Sequence, residues 1–205
     1  MPALKAKPVA TTFAPRSARQ QIRRQLRAQR QALAADTRHA AELRIANNLR
    51  RLSSYRRAAR IAVYFGIDGE VDLTALITDA RSRGKATFAP ILAGERLEFV
   101  ELRYDNPMTR NRYGIVEPVD GRRIDPRDLD IVLTPLVGFD RTGTRLGMGK
   151  GYYDRTFQFL RLRRHWIRPK LIGIAFALQE IEHIEPRPWD VPLWDAVTDT
   201  AIHHF

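Results

Sequence analysis

Three short apolar runs constrain this chain more than any other feature. Arg60–Phe65, Asp130–Val137 and Lys170–Ala177 each hold an almost unbroken apolar block. Such blocks are too short for an independent helix and too uniformly apolar for a strand with one wet face, so they read as strands buried on both sides. Lys85–Ile91 is a further strand, and Val197–Ile202 a last one. Leu97–Leu102 alternates apolar and acidic residues, as a half-exposed strand does. Between the strands lie helical patterns. Asp72 opens one through Leu73, Leu76, Ile77 and Ala80 to a stop at Gly84, and another runs from about Gly151 to Trp166. Strands alternating with helices predict an α/β fold: an open, mostly parallel sheet with helices on both faces.

Upstream of residue 60 the texture is helical. Ile22, Leu26 and Leu33 recur at helical spacing from Ser17 onward, and Asp36 can cap a second helix carrying Ala40, Leu43, Ala46 and Leu49. At 205 residues, one domain is expected, taken as 17–205 with the helical arm 17–56 included. Residues 1–16 read as a disordered basic tail. They lack acids, as a targeting segment would, but Pro2, Pro8 and Pro15 interrupt any amphipathic helix. A cytoplasmic monomer is expected. There are no cysteines, which excludes disulfides, thiolate metal sites and a catalytic thiol. No apolar run is long enough for a membrane helix.

Charge is distributed unevenly. Residues 1–60 hold 15 Lys and Arg against two acids, Asp36 and Glu42, while the rest of the chain is near neutral. A field of that sign attracts polyanions, so a nucleic-acid-binding protein is one reading. Stacking aromatics among the basic residues would support it, but only Phe13 and Tyr55 occur there. The alternative is a pair of solvated helix faces.

The chemistry concentrates after the second buried strand, in Arg145-Leu146-Gly147-Met148-Gly149-Lys150-Gly151-Tyr152-Tyr153-Asp154. Ligands of doubly wound sheets sit at the carboxyl ends of strands, and a glycine loop there can present backbone N–H groups to phosphate. Neither a Walker A loop nor the G-x-G-x-x-G fingerprint fits this spacing. Three alternating glycines are equally compatible with a tight structural turn. Arg145 and Lys150 supply fixed positive charge beside the loop. Asp154 can either hold Mg²⁺ or balance the helix dipole. Tyr152 and Tyr153 offer stacking surface, though one of them belongs to the core. A phosphate held here without ATP would suit a sugar-phosphate isomerase or transferase. The five histidines lack metal-ligand spacing, and Trp189 and Trp194 read as packing.

These residues resemble the signature of the 5-formyltetrahydrofolate cyclo-ligase family. The likeness extends through Ile61–Phe65, Glu70, Asp72, Gly84-Lys85 and Trp189–Leu193, over roughly residues 15–200. It implies a sheet related to those of sugar-phosphate isomerases and CoA transferases. The implied activity is the conversion of 5-formyltetrahydrofolate to 5,10-methenyltetrahydrofolate by Mg-ATP, through phosphorylation of the formyl oxygen. Arg145, Leu146, Gly147, Met148, Gly149, Lys150, Gly151, Tyr152 and Tyr153 would wrap the nucleotide, with Arg145 and Lys150 acting on the transferring group. Phe65, Glu70 and Tyr152 would contact the folate, and Asp154 the magnesium. Arg19 matches the arginine of the family's N-terminal K-x-x-x-R motif, whose lysine is replaced by Pro15, so Arg16 is the stand-in. Where some relatives place a second metal-binding aspartate this chain has Trp194, leaving Asp195 one step later.

Overall fold

A computed structural model describes residues 15–162 and 168–205, with side chains from residue 18 onward. The expected tail, residues 1–16, lies outside the described residues except for the backbone of its last two.

Helices α1 (Pro15–Gln31), α2 (Ala35–Arg51) and α3 (Ser53–Arg57) precede the first strand, β1 (Arg60–Ala62). Then come α4 (Thr74–Ser82), β2 (Ala86–Ala93) and β3 (Arg96–Glu101). Three short strands follow, β4 (Met108–Arg110), β5 (Val116–Pro118) and β6 (Arg123–Ile124), and then the central β7 (Ile131–Pro135). A hairpin of β8 (Gly138–Phe139) and β9 (Arg145–Leu146) leads into α5 (Tyr152–Phe157). The chain ends with β10 (Lys170–Ile174), β11 (Asp195–Val197) and β12 (Ile202–His204).

The main sheet has the order β12-β11-β10-β7-β1-β2-β3-β6. Its five middle strands are parallel, and β12, β3 and β6 are antiparallel additions at the two edges. The parallel strands alternate their buried side chains between two cores. Ile61, Leu133, Ile172 and Val197 pack with Ile45, Leu49 and Leu76 on the α2–α4 side. Ala62, Val132, Leu171 and Ala196 pack with Phe139, Phe157 and Leu160 on the other. Each fully buried Ile, Leu or Phe contributes about 1.5–3 kcal/mol through removal from water. The chain runs outward from β1 to β2 and then returns to β7 on the other side of β1. A crevice therefore opens between the carboxyl ends of β1 and β7, the point where strand order reverses.

The structure departs from three sequence-based expectations. The helix expected over Gly151–Trp166 is α-helical only to Phe157 and continues as a 3₁₀ turn, Gln158–Leu162. Its buried residues Phe157 and Leu160 are three apart, the period of a 3₁₀ helix; residues 163–166 lie outside the described residues. The last expected strand, Val197–Ile202, is instead the turn between β11 and β12. There Thr198 Oγ1 accepts hydrogen bonds from the backbone N–H groups of Thr200 and Ala201 and closes the reversal. Asp36 lies in the first turn of α2, and Ala34 occupies the cap position.

Candidate active site

A cleft of about 1650 Å³ fills the β1/β7 crevice. Its floor is Tyr64, Phe65 and Pro135 at the strand ends, one wall is the face of α1, and the Gly147–Gly151 loop crosses it. The β4–β5 hairpin brings Tyr113 and Glu117 to the rim.

The loop depends on glycine at two positions. Gly149 and Gly151 have φ of +94° and +71°, a region that costs residues with a Cβ roughly 1–2 kcal/mol. A Cβ on Gly147 would meet nothing within 4 Å, so its small size serves the cleft rather than protein packing. Leu146 is different: its side chain is buried and only its backbone belongs to the loop, through a 2.7 Å hydrogen bond from the Val137 N–H to its carbonyl.

Arg145 anchors the far side of this loop. Its side chain is almost fully buried, one amino group donates to Asp154 Oδ1 at 2.6 Å, and the other donates to the Val191 carbonyl. Asp154 Oδ1 also accepts from the Val191 N–H at 3.2 Å. Burial makes the Arg145 guanidinium easier to deprotonate, and the Asp154 charge opposes that shift. The result is a clasp joining β9, α5 and the loop before β11. Arg145 thus builds a wall of the cleft, and Lys150, Met148 and Tyr152 are the loop's projecting side chains. Lys150 Nζ lies 5.6 Å from the Tyr113 ring centroid. Tyr152 Oη meets the Arg112 guanidinium and lies 3.2 Å from Tyr113 Oη. Of the tyrosine pair, Tyr153 is the core member: it stacks on Phe157, and burial raises its pKa well above the ordinary value.

At the other end of the cleft Glu70 is drawn out of water. Its Oε2 accepts from the Ile67 N–H at 3.2 Å, and its Oε1 lies 3.9 Å from Arg30 Nη2. Burial pushes its pKa up to about 7, against the opposing charge of Arg30. Arg30 is itself buried, donating to the carbonyls of Asp68 and Leu136 at 3.1 Å each. Burial lowers its pKa while Glu70 opposes the change.

One expected site residue falls elsewhere. Asp195 lies on β11 away from the cleft, 2% exposed, and accepts from His204 Nδ1 at 2.6 Å. From this C-terminal segment the carboxylate that lines the cleft is Asp190, which accepts from Arg19 Nη2 at 3.2 Å and from the Arg187 N–H at 2.9 Å. Trp189, read from sequence as packing, is 56% exposed on the cleft rim with the Arg187 guanidinium 5.6 Å from its ring. Trp194 does pack, beneath Lys170 Nζ at 3.9 Å. The side chain of Arg16 is not among those described.

The largest residue group missed from sequence is the arginine face of α1 beyond Arg19. Arg19, Arg23 and Arg27 recur every four residues, Arg30 follows three later, and all four turn inward rather than displaying a solvated face. Arg19 reaches Asp190, Arg23 Nε donates to the Gly147 carbonyl at 2.8 Å, and Arg27 meets Asp68 at 2.6 Å. The i, i+4 repeat was the available signal. Its direction depends on where Leu26 docks, a tertiary fact.

Comparison with known proteins agrees with this geometry. The model of the 5-formyltetrahydrofolate cyclo-ligase family matches residues 15–199. A 5-formyltetrahydrofolate cyclo-ligase of Haemophilus influenzae is 39% identical over 184 residues, covering 86% of this chain and 95% of the relative. Its Escherichia coli K12 counterpart is 36% identical over 152 residues, covering 71% and 80%. The solved 5,10-methenyltetrahydrofolate synthetase of Aquifex aeolicus superposes with a TM-score of 0.79 at 29% identity, covering 91% of this chain and 92% of that one. A match running from the first described helix to β11 includes every wall of the cleft, and so the chain belongs to the 5-formyltetrahydrofolate cyclo-ligase family.

Proposed function

We infer that this enzyme uses ATP to convert 5-formyltetrahydrofolate into 5,10-methenyltetrahydrofolate, releasing ADP and phosphate. The observation that carries the reading is that one cleft contains both the glycine loop and the buried Glu70 end. In the reaction the formyl oxygen attacks the γ-phosphorus, and the bond to the β–γ bridging oxygen breaks with its electron pair going to ADP. N10 then adds to the activated formyl carbon and loses its proton. The C–O bond breaks, phosphate leaves with that electron pair, and the methenyl bridge remains. Phosphorylation is needed because an amide-like oxygen is otherwise a poor leaving group.

The residues divide this work by position. Backbone N–H groups from Gly147 to Gly151 are suited to phosphate oxygens, and Lys150 adds a mobile cation. The Arg145–Asp154 clasp holds the loop to the loop before β11. Phe65 supplies an apolar surface for the pterin, and the Glu70 carboxylate an acceptor for its ring N–H groups. Tyr152 closes the open side with the hairpin tyrosine.

Magnesium fits this site as a companion of ATP rather than as a protein-caged ion. Among the described residues no three acidic or histidine side chains form a metal cluster. Asp154 spends Oδ1 on Arg145 and Val191, which leaves Oδ2 as one carboxylate ligand. Mg²⁺ commonly takes one or two carboxylates, with phosphates and waters completing the octahedron. When bound there, it would neutralise charge on the phosphates.

The two rival readings lose their support at this site. A nucleic-acid protein would display its arginines, whereas those of α1 that are described line the cleft or the core. A sugar phosphate leaves much of a 1650 Å³ cleft unfilled. A cytoplasmic location fits a cysteine-free chain, and no helix among the described residues is long and apolar enough to cross a membrane. The test is incubation of purified protein with 5-formyltetrahydrofolate and Mg-ATP, following near-UV absorbance of the methenyl product. ATP-dependent product is expected; its absence at high enzyme concentration contradicts the reading.

A further inference from the structure

Arg23 holds a place in the cleft that the family resemblance does not assign. Its Nε donates to the Gly147 carbonyl, and that bond lays the guanidinium across the glycine loop. The central carbon of the guanidinium lies 3.5 Å from where a Cβ on Gly149 would stand. That is ordinary van der Waals distance, so the guanidinium packs directly against Gly149, whose glycine identity is required by its φ of +94°. The remaining N–H groups of Arg23 have no partner among the described residues and border the cleft.

The surroundings are short of negative charge. Arg19 and Arg187 flank Arg23, and Asp190 is the carboxylate that balances them. Asp190 already accepts from Arg19 and from the Arg187 backbone. Three guanidiniums around one committed carboxylate leave a surplus of positive charge facing a loop suited to phosphate. Burial and the two neighbouring cations make Arg23 easier to deprotonate than a free arginine, a strain that an arriving anion would relieve.

Position along α1 then narrows the role. Arg19, one turn before, is tied to the Asp190 side; Arg27, one turn after, is tied to Asp68 in the loop that carries Glu70. Arg23 therefore stands midway between the nucleotide end and the folate end. The γ-phosphoryl group must pass between those ends.

We propose that Arg23 is a catalytic residue whose guanidinium contacts the phosphoryl group as it moves from ATP to the formyl oxygen. The proposal rests on the cyclo-ligase reading and adds a phosphoryl-stabilising cation on α1, opposite the glycine loop. A planar guanidinium matches two equatorial phosphoryl oxygens at once, and an ammonium does not. Groups aimed at charge that develops during transfer act mainly on kcat.

Two variants test it. Arg23→Gln keeps an N–H for the Gly147 carbonyl and removes the charge, whereas Arg23→Ala leaves space for a free cation. Both are compared with the unsubstituted protein in the methenyl assay, with melting temperature as the folding control. Wild-type turnover tests the cyclo-ligase reading by itself, since without it that reading fails whatever the variants do. Given wild-type turnover, kcat is expected to fall about 100-fold or more in both folded variants. The folate KM should stay within about twofold and the ATP KM rise by less than tenfold. Added methylguanidine should restore part of the Arg23→Ala kcat and leave the wild type unchanged. A raised ATP KM with unaltered kcat would show that Arg23 only pins the loop, and would overturn the proposal. Wild-type kinetics in Arg23→Gln would overturn it equally.

Discussion

Glu70 sits beside Arg30 with its carboxyl drawn out of water, and the two effects oppose each other. Burial wins, and its pKa rises from 4.5 to about 7. Below the unfolded value the group is protonated in both states and costs nothing. Between 4.5 and about 7 the unfolded chain ionises while the folded carboxyl keeps its proton, so the ligand-free protein loses up to roughly 3 kcal/mol, and above the folded value the loss is complete. The melting temperature should therefore decline from about pH 4.5 to 7, and then level off, more in wild type than in Glu70→Gln. Folate binding should run the other way. An acceptor for ring N–H groups works best ionised, so the folate KM should fall from pH 6 to 8 and be flat but about tenfold higher in Glu70→Gln. Parallel pH profiles in the two proteins would contradict this role. Arg145 gives a second residue-scale prediction. Arg145→Met leaves Asp154 without its buried cation, at a cost of about 3–5 kcal/mol. Turnover should fall much more than folate affinity, which parallel kcat and KM measurements would show. The glycine loop was legible because alternating glycines after a buried strand are unusual. The distinction between Arg145 as an internal clasp and Lys150 as a projecting cation was not, because it depends on which way each side chain turns.

Helix α1 is the element that joins the two ends of the cleft, although little apolar surface holds it. Leu26 is its buried apolar anchor among the described side chains, pressed against Gly138 so closely that a Cβ there would stand 2.7 Å from Leu26 Cδ1. Leu26→Ala should weaken docking by about 2–5 kcal/mol. The KM values for ATP and folate should rise together, and hydrogen exchange should quicken in α1 while β7 stays protected. Exchange unchanged in α1 would show that the arginines alone hold it. The buried strands were readable because each packs on both faces and so needs an uninterrupted apolar run. The β4–β5 hairpin was not. Its strands have three residues each and pair only with one another, β4 exposed throughout and β5 half-buried to buried, so no period marks them. The chain reversal between β11 and β12 escaped for a similar reason, since a Thr198 hydroxyl rather than Gly or Pro closes the turn.

For the molecule as a whole, the basic excess of residues 1–60 gains a partial explanation. Four arginines of α1 face a cleft whose substrates are polyanions, while the sheet that supports them is near neutral. Raising salt from 50 to 500 mM should therefore increase the ATP KM several-fold with a smaller effect on kcat, because Debye screening weakens cleft-wide attraction more than direct contacts. An ATP KM insensitive to salt would contradict an electrostatic role for the α1 face. The larger claim is that one cleft brings the γ-phosphoryl group to the formyl oxygen directly. Substrate labelled with ¹⁸O in the formyl group tests it. If the oxygen is phosphorylated and leaves with phosphorus, the label must appear in the released inorganic phosphate, one atom per turnover. Label recovered in water, with unlabelled phosphate, would contradict the account.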